Sequence, residues 1–168
     1  MMTESDMIRL LQQKYTRVRA GTNADRYVRA KHVRHPKKMC DGNTYGAAAA
    51  IADYLVFDTY GQGELIGFEI KVSRSDLLTE LRNPGKAEHW KQHCHRWYLV
   101  VPDKQIVGAA LPEEWGLIST SKTGQLRAVR TAPKLESKPM SDQVLAQYVR
   151  AIAQTTRWEL VGESLPHS

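Results

Sequence analysis

The stretch Ala52-Asp53-Tyr54-Leu55-Val56-Phe57-Asp58, the turn Tyr60-Gly61-Gln62-Gly63 and the run Leu65-Ile66-Gly67-Phe68-Glu69-Ile70-Lys71-Val72 decide how this chain folds. Two apolar runs rich in β-branched and aromatic residues, joined by a Gly-containing turn, predict a β-hairpin. Alternation along a strand puts Glu69 and Lys71 on one face and Phe68, Ile70 and Val72 on the other. The turn leaves two registers open. A loop of Tyr60 to Gln62 sets Asp53 opposite Glu69, and a loop of Gly61 to Gly63 sets it opposite Lys71. Either one gathers two carboxylates and an ammonium on otherwise apolar strands.

A divalent cation would account for such a group. Mg²⁺, or Mn²⁺ in its place, takes oxygen ligands, typically one or two carboxylates with water and substrate phosphate completing an octahedron. Asp53 and Glu69 supply the carboxylates, and the backbone carbonyl of Ile70 is within reach of the same ion. A cation so held acidifies water for attack on a phosphodiester and neutralises charge building on the phosphoryl oxygens. Lys71, a compact point charge, would position the nucleophile or stabilise the transition state. The plainer reading is a structural ion pair, since acidic-x-Lys patterns are common in strands. The hairpin register with Asp53 favours the catalytic reading.

Asp53 followed sixteen positions later by Glu69-Ile70-Lys71 resembles the active-site signature of the PD-(D/E)xK nuclease superfamily. The likeness extends through Phe68-Glu69-Ile70-Lys71-Val72-Ser73-Arg74-Ser75-Asp76, Trp90 and Cys94-His95-Arg96-Trp97-Tyr98-Leu99-Val100-Val101-Pro102, which is similar to the MmcB-related DNA repair group of that superfamily. It covers roughly Tyr27 to Pro102. The resemblance implies a restriction-endonuclease-like fold, a mixed β-sheet flanked by helices, and metal-dependent hydrolysis of DNA by Asp53, Glu69 and Lys71. There are two departures. Ala52 stands where the motif has proline, at a position that is not a ligand. The extra acidic residue that such nucleases often carry on the first helix or strand has no obvious counterpart. His32 occupies the strand place, and Glu4 or Asp6 would have to serve from the helix.

The bulk properties agree with a soluble enzyme of this kind. A chain of 168 residues with 42% hydrophobic content is large enough for one core, so residues 1–168 are expected to form a single domain. No run approaches the roughly 18 apolar residues of a membrane span, and no signal segment is evident. Two cysteines, Cys40 and Cys94, make no disulfide framework, which suits a cytoplasmic protein. Net charge is +6, with a pI near 9.4. The excess is concentrated: the first 38 residues hold ten basic and three acidic side chains, and the remainder is close to neutral. Such asymmetry suits a polyanion lying along one end of the molecule, although it also describes a merely solvated basic face.

Along the chain, Thr3-Glu4-Ser5-Asp6 predicts a capped helix with Met7, Leu10, Leu11, Tyr15 and Val18 at helical spacing, ended by Gly21-Thr22-Asn23. Tyr27 to Arg34 reads as an edge strand, and His35 through Gly46 as a basic loop that could touch DNA. Ser73-Arg74-Ser75-Asp76 starts another helix, with Leu77, Leu78 and Leu81 on its face, broken at Asn83-Pro84-Gly85. A helix over Lys86 to Arg96 and a buried strand Trp97 to Val101 follow, which favours a parallel crossover pair. Ile106-Val107, Trp115 to Ile118 and Leu126 to Val129 are short strand candidates. Val144, Leu145, Tyr148, Val149 and Ile152 mark a last amphipathic helix. The whole reads as α/β.

Arg34, Lys37, Lys38, Arg74, Lys86 and Lys91 are the candidate phosphate contacts, which neutralise the backbone without reading sequence. His89, His93, Cys94 and His95, with Cys40 or His35, invite a zinc reading, but no C-x-x-C pair is present. The alternative for this helix is that Trp90, Cys94 and Trp97 pack in the core. No P-loop, dinucleotide fingerprint or nucleophile elbow occurs, so any chemistry should be metal-assisted. The expectation is a Mg²⁺-dependent deoxyribonuclease acting in DNA repair, recombination or phage DNA processing. Its rival is a non-catalytic nucleic-acid-binding module of the same fold. A homodimer is left open.

Overall fold

The computed structural model describes residues 1–36, 50–108 and 111–161. A helix α1 (Glu4–Lys14) precedes three strands, β1 (Tyr27–Arg34), β2 (Ile51–Asp58) and β3 (Glu64–Ile70). Helices α2 (Arg74–Arg82) and α3 (Gly85–Lys91) lead to β4 (Arg96–Val101). A 3-10 turn at Lys104–Ile106, the hairpin β5 (Trp115–Thr120) and β6 (Leu126–Arg130), and a long helix α4 (Asp142–Val161) complete the order. The strands form one mixed sheet in the order β1-β2-β3-β4-β5-β6. The β3–β4 and β4–β5 pairs are parallel and the others antiparallel. This is an α/β fold with a mixed sheet flanked by helices.

The two faces of the sheet bury different residues. One packs Leu55, Leu65, Trp97, Leu99 and Trp115 beneath Leu77, Trp90 and Tyr148 of the later helices. The other packs Tyr54, Val56, Phe68, Tyr98 and Val100 beneath Met7, Ile8 and Leu11 of α1. Parallel strands joined by helices need cover on both faces, which explains the unbroken apolar run of β4. The exposed flank of β1 is closed by α4. The Lys31 N–H donates to Thr155 Oγ1 (2.9 Å), and Arg29 pairs with Glu159 (2.8 Å). An edge strand so covered is not available to pair with another chain.

Several expected boundaries shift, each for a local reason. α1 ends at Lys14, well short of Gly21, because the Arg29 guanidinium takes the Tyr15 carbonyl (2.7 Å) that a continuing helix would use. Val18 is exposed and bridges Asp25 instead. The helix expected over Lys86 to Arg96 stops at Lys91, and the chain turns so that the His95 N–H reaches Leu65 O on β3 (2.8 Å). Ile106-Val107 is not a strand. Asp103 accepts from the Gln105 N–H (2.8 Å) and starts the 3-10 turn there. Among the described residues no helix is long and apolar enough to cross a membrane.

Gly67 is where the sheet is least tolerant. A Cβ at that position would lie 2.2 Å from the indole of Trp97 and 3.1 Å from Cys94 Sγ, because the ring lies directly on the β3 backbone. Gly67→Ala should therefore force Trp97 out of a fully buried place and cost about 1–3 kcal/mol, read as a lower urea midpoint at an unchanged m value.

Candidate active site

The hairpin adopts the register with the Tyr60–Gln62 loop. Tyr54 lies opposite Phe68 and Val56 opposite Ile66, and continuing the same pairing sets Asp53 against Glu69. The ladder stops just before that pair. Beyond it the Asp53 carboxylate takes the Ile70 N–H on Oδ2 (2.7 Å), so the side chain is held against the end of β3. Glu69 is 5% exposed, and its Oε1 accepts from Lys71 Nζ at 2.5 Å. The same ammonium lies 3.5 Å from Glu80 Oε2 on α2.

Strict alternation fails at this point. Ala30 and Val33 of β1 belong to the same core cluster, as do Ala52 and Leu55 of β2, although each pair is three residues apart. Between them His32 has φ +50°, the left-handed region that a non-glycine residue seldom enters. The pairing on either side, Lys31 with Tyr54 and Val33 with Ala52, puts His32 across from Asp53. Both strands thus leave the regular pleat beside Asp53. His32 Nε2 lies 2.9 Å from Glu4 Oε1 at the start of α1, bringing a fourth carboxylate, after Asp53, Glu69 and Glu80, to the edge of the cluster. Asp6, the other helical acid considered, is committed to its own N-cap: both Thr3 N–H and Thr3 Oγ1 donate to its Oδ2 (2.8 and 2.7 Å).

Burial governs the charges here. It pushes the Asp53 carboxyl upward against the pull of the Ile70 N–H and of Lys71. It pushes Glu69 upward too, and the neighbouring Asp53 charge adds to it while Lys71 opposes. For Lys71 burial works against the charge, yet Glu69, Asp53 and Glu80 together outweigh it and keep the amine protonated. One ammonium cannot offset two facing carboxylates, so the pair gives up its last proton late. A cation between them would relieve that repulsion. The donor set is hard oxygen throughout, which suits Mg²⁺ or Mn²⁺. Among the described residues no three His, Cys, Asp or Glu side chains form a group able to hold a metal ion on their own. The fit therefore rests on two carboxylates with a backbone carbonyl, a small protein set of the sort Mg²⁺ accepts.

The expected phosphate contacts are dispersed. Arg34 is exposed at the end of β1, opposite Ile51 and so beside the strand end that carries Asp53. Arg74 is exposed in the first turn of α2, three residues after Lys71, with its guanidinium over Gly108. Lys86 is exposed on α3. Lys91 is held between Glu88 (3.1 Å) and Glu114, with its side chain 13% exposed. Lys37 and Lys38 lie outside the described residues, as do Cys40 and most of the basic loop. Part of the basic excess in the first 38 residues is internally paired: Arg26 forks onto Asp58 (2.8 and 2.6 Å), and Arg29 pairs with Asp25 (2.7 Å) and Glu159.

Two members of the zinc grouping, Cys94 and His95, are committed elsewhere. Cys94 is buried, its thiol donates to Trp90 O, and burial pushes it well above the ordinary thiol range. His95 Nδ1 accepts from the Leu65 N–H (3.0 Å), and its Nε2 meets Ser137 Oγ (3.1 Å). Trp90 and Trp97 pack in the core with Cys94. Sequence reasoning missed Glu80. Its only signal was a carboxylate two turns into the helix that follows the motif, where nothing in the chain specifies a partner.

No protein-family model matches the chain, and no curated protein matches it. Among solved structures it is similar to the SPO1766 protein of unknown function from Silicibacter pomeroyi, with a TM-score of 0.52 and 18% identity. The likeness covers 80% of this chain and 77% of that one. It speaks to the fold alone.

Both carboxyls hold protons more tightly folded than unfolded, so their contribution favours folding less as pH rises from the ordinary carboxylate range through the raised values. In metal-free buffer Glu69→Gln should therefore be more stable than the parent at pH 8 by about 1 kcal/mol, with the difference shrinking toward pH 5. Thermal melts across that range check it.

Proposed function

We propose that this chain is a divalent-cation-dependent nuclease of the PD-(D/E)xK kind that hydrolyses DNA phosphodiester bonds in repair, recombination or phage DNA processing. One observation carries the reading: Asp53, Glu69 and Lys71, three charged side chains on a buried hairpin, converge at one end of β2 and β3. A pure structural role leaves the second buried carboxylate uncompensated, and such groups cluster where chemistry is done.

Asp53 and Glu69 would hold Mg²⁺ or Mn²⁺, with the Ile70 carbonyl as the backbone donor. When bound, that cation supplies charge neutralisation at the scissile phosphate and acidifies the attacking water. Lys71 is an ammonium in this setting, so it acts as a hydrogen-bond donor and point charge toward the nucleophile or the phosphoryl oxygens. Glu80 steadies the same ammonium from α2. Glu4 and His32 border the pair from α1 and β1, where they can accept a proton or orient water. Arg34, Arg74 and Lys86 would meet the backbone of the nucleic acid as counter-charges. A non-catalytic binding module is the second reading. What favours it is Lys71 itself, which stands between Glu69 and Glu80 as a structural counter-ion would.

Purified protein incubated with plasmid and single-stranded DNA separates the two. The enzyme reading expects cleavage with Mg²⁺ or Mn²⁺ and none with chelator. Glu69→Ala and Lys71→Ala should each slow it by at least about a hundredfold. Arg34→Ala should mainly weaken binding and flatten its salt dependence. Cleavage that survives both active-site substitutions contradicts the assignment of roles. Salt-sensitive binding without turnover under any metal contradicts the enzyme.

A further inference from the structure

Away from the hairpin, His35 at the end of β1 and His93 in the turn after α3 face each other. Their rings lie edge to edge and nearly coplanar, 11° from parallel with centroids 5.6 Å apart, and both residues are buried. His93 Nδ1 lies 2.9 Å from Lys138 O, and His35 Nδ1 lies 3.0 Å from Pro36 O. A carbonyl oxygen can only accept, so each Nδ1 carries the hydrogen and donates it. In the neutral rings both Nε2 atoms are then lone-pair acceptors. They point at one another across 3.5 Å, with no hydrogen left to place between them.

Two acceptors confronting each other in a buried site need a positive occupant. A tetrahedral zinc with Zn–N bonds of about 2.0–2.1 Å holds two imidazole nitrogens about 3.3 Å apart, close to the spacing seen. Donation of Nδ1–H to a backbone carbonyl is also how a zinc-bound histidine is ordinarily oriented. We propose that His35 and His93 form a binding site for a zinc-class divalent cation through their paired Nε2 atoms. His89 lies beside them, half-buried with its ring centroid 5.4 Å from that of His35, but as placed it does not complete a three-ligand group, so the pair itself is the site and water fills the remaining positions. Trp90 walls the site from below, 5.1 Å from His35 edge to face. The occupant is borderline-soft and nitrogen-bound, unlike the hard, oxygen-bound ion of the hairpin, so the two sites select different metals.

The location gives the ion a structural task. It would tie the end of β1 to the turn between α3 and β4. Through Lys138 O it would also fasten the extended segment 131–141, whose Lys138 N–H already donates to Gln92 O (2.7 Å) and Leu135 N–H to His95 O (2.8 Å). This site does not depend on the nuclease reading, since none of its residues touches the carboxylate pair.

The test uses the full chain, stripped with chelator and titrated with Co²⁺ and then Zn²⁺. Cobalt visible absorption and calorimetric stoichiometry are the readouts. One equivalent should bind to the parent and to Glu69→Gln alike, with intense tetrahedral cobalt bands and a higher melting temperature. His35→Ala and His93→Ala should each weaken it by more than about tenfold. Should an alanine variant fail to fold without metal, His35→Asn and His93→Gln, which keep a polar side chain in place, replace it. No stoichiometric binding, binding indifferent to both histidine substitutions, or binding lost in Glu69→Gln overturns the proposal. The first of these outcomes means that a proton, and not a metal, sits between the rings.

Discussion

A buried carboxylate, Glu69, and a half-buried one, Asp53, sit at one end of a hairpin with a single ammonium to answer them. That arrangement is the constraint around which the local structure is organised. Moving ionised groups from water into protein costs several kcal/mol each unless partners replace the lost hydration. Here the Ile70 N–H engages Asp53, and Lys71 engages Glu69, while Glu80 holds the far side of the ammonium. With all three carboxylates ionised against one ammonium, two negative charges are left in excess. The fold tolerates it because Leu65, Phe68, Tyr54 and their neighbours bury enough apolar surface on either face to carry a local loss.

The geometry that makes the cluster is a departure from regular sheet structure. Had alternation continued through β1 and β2, Ala52 would have joined Tyr54 under α1. Instead it joins Leu55 in the opposite core, and His32 turns into the left-handed region across from Asp53. The ladder ends at that place, so the Asp53 side chain substitutes for a strand partner of Ile70. Backbone strain beside an electrostatically loaded pair is the combination expected where local stability has been given up to position reactive groups.

Much of this was legible in the residues. The hairpin, its alternative register opposite Glu69, the edge strand from Tyr27 to Arg34, the Ser73-capped helix and the parallel strand from Trp97 all follow from periodicity and punctuation, and the structure has them. What periodicity could not supply were long-range partners. Arg29 closing α1 at Tyr15 and Thr155 closing the edge strand join positions 14 and 124 apart, and Glu80 reaches back nine residues to Lys71 only because α2 folds over the end of β3. The histidine cluster shows the same limit. His93 and His35 were both legible as metal-ligand candidates, but only the fold sets their Nε2 atoms 3.5 Å apart across 58 positions, while the adjacent Cys94 and His95 are committed to the core and to β3. The broken alternation at His32 was likewise beyond a pattern argument, since a left-handed histidine has no sequence signature.

Crystals soaked in Mn²⁺ test the central claim most directly, because manganese is located by its anomalous scattering. The account predicts a peak bridged by Asp53 and Glu69 at the end of β2 and β3, within coordination distance of the Ile70 carbonyl, and absent from Glu69→Ala crystals. A fully soaked crystal with no peak there, Lys71 still lodged between Glu69 and Glu80, would contradict it.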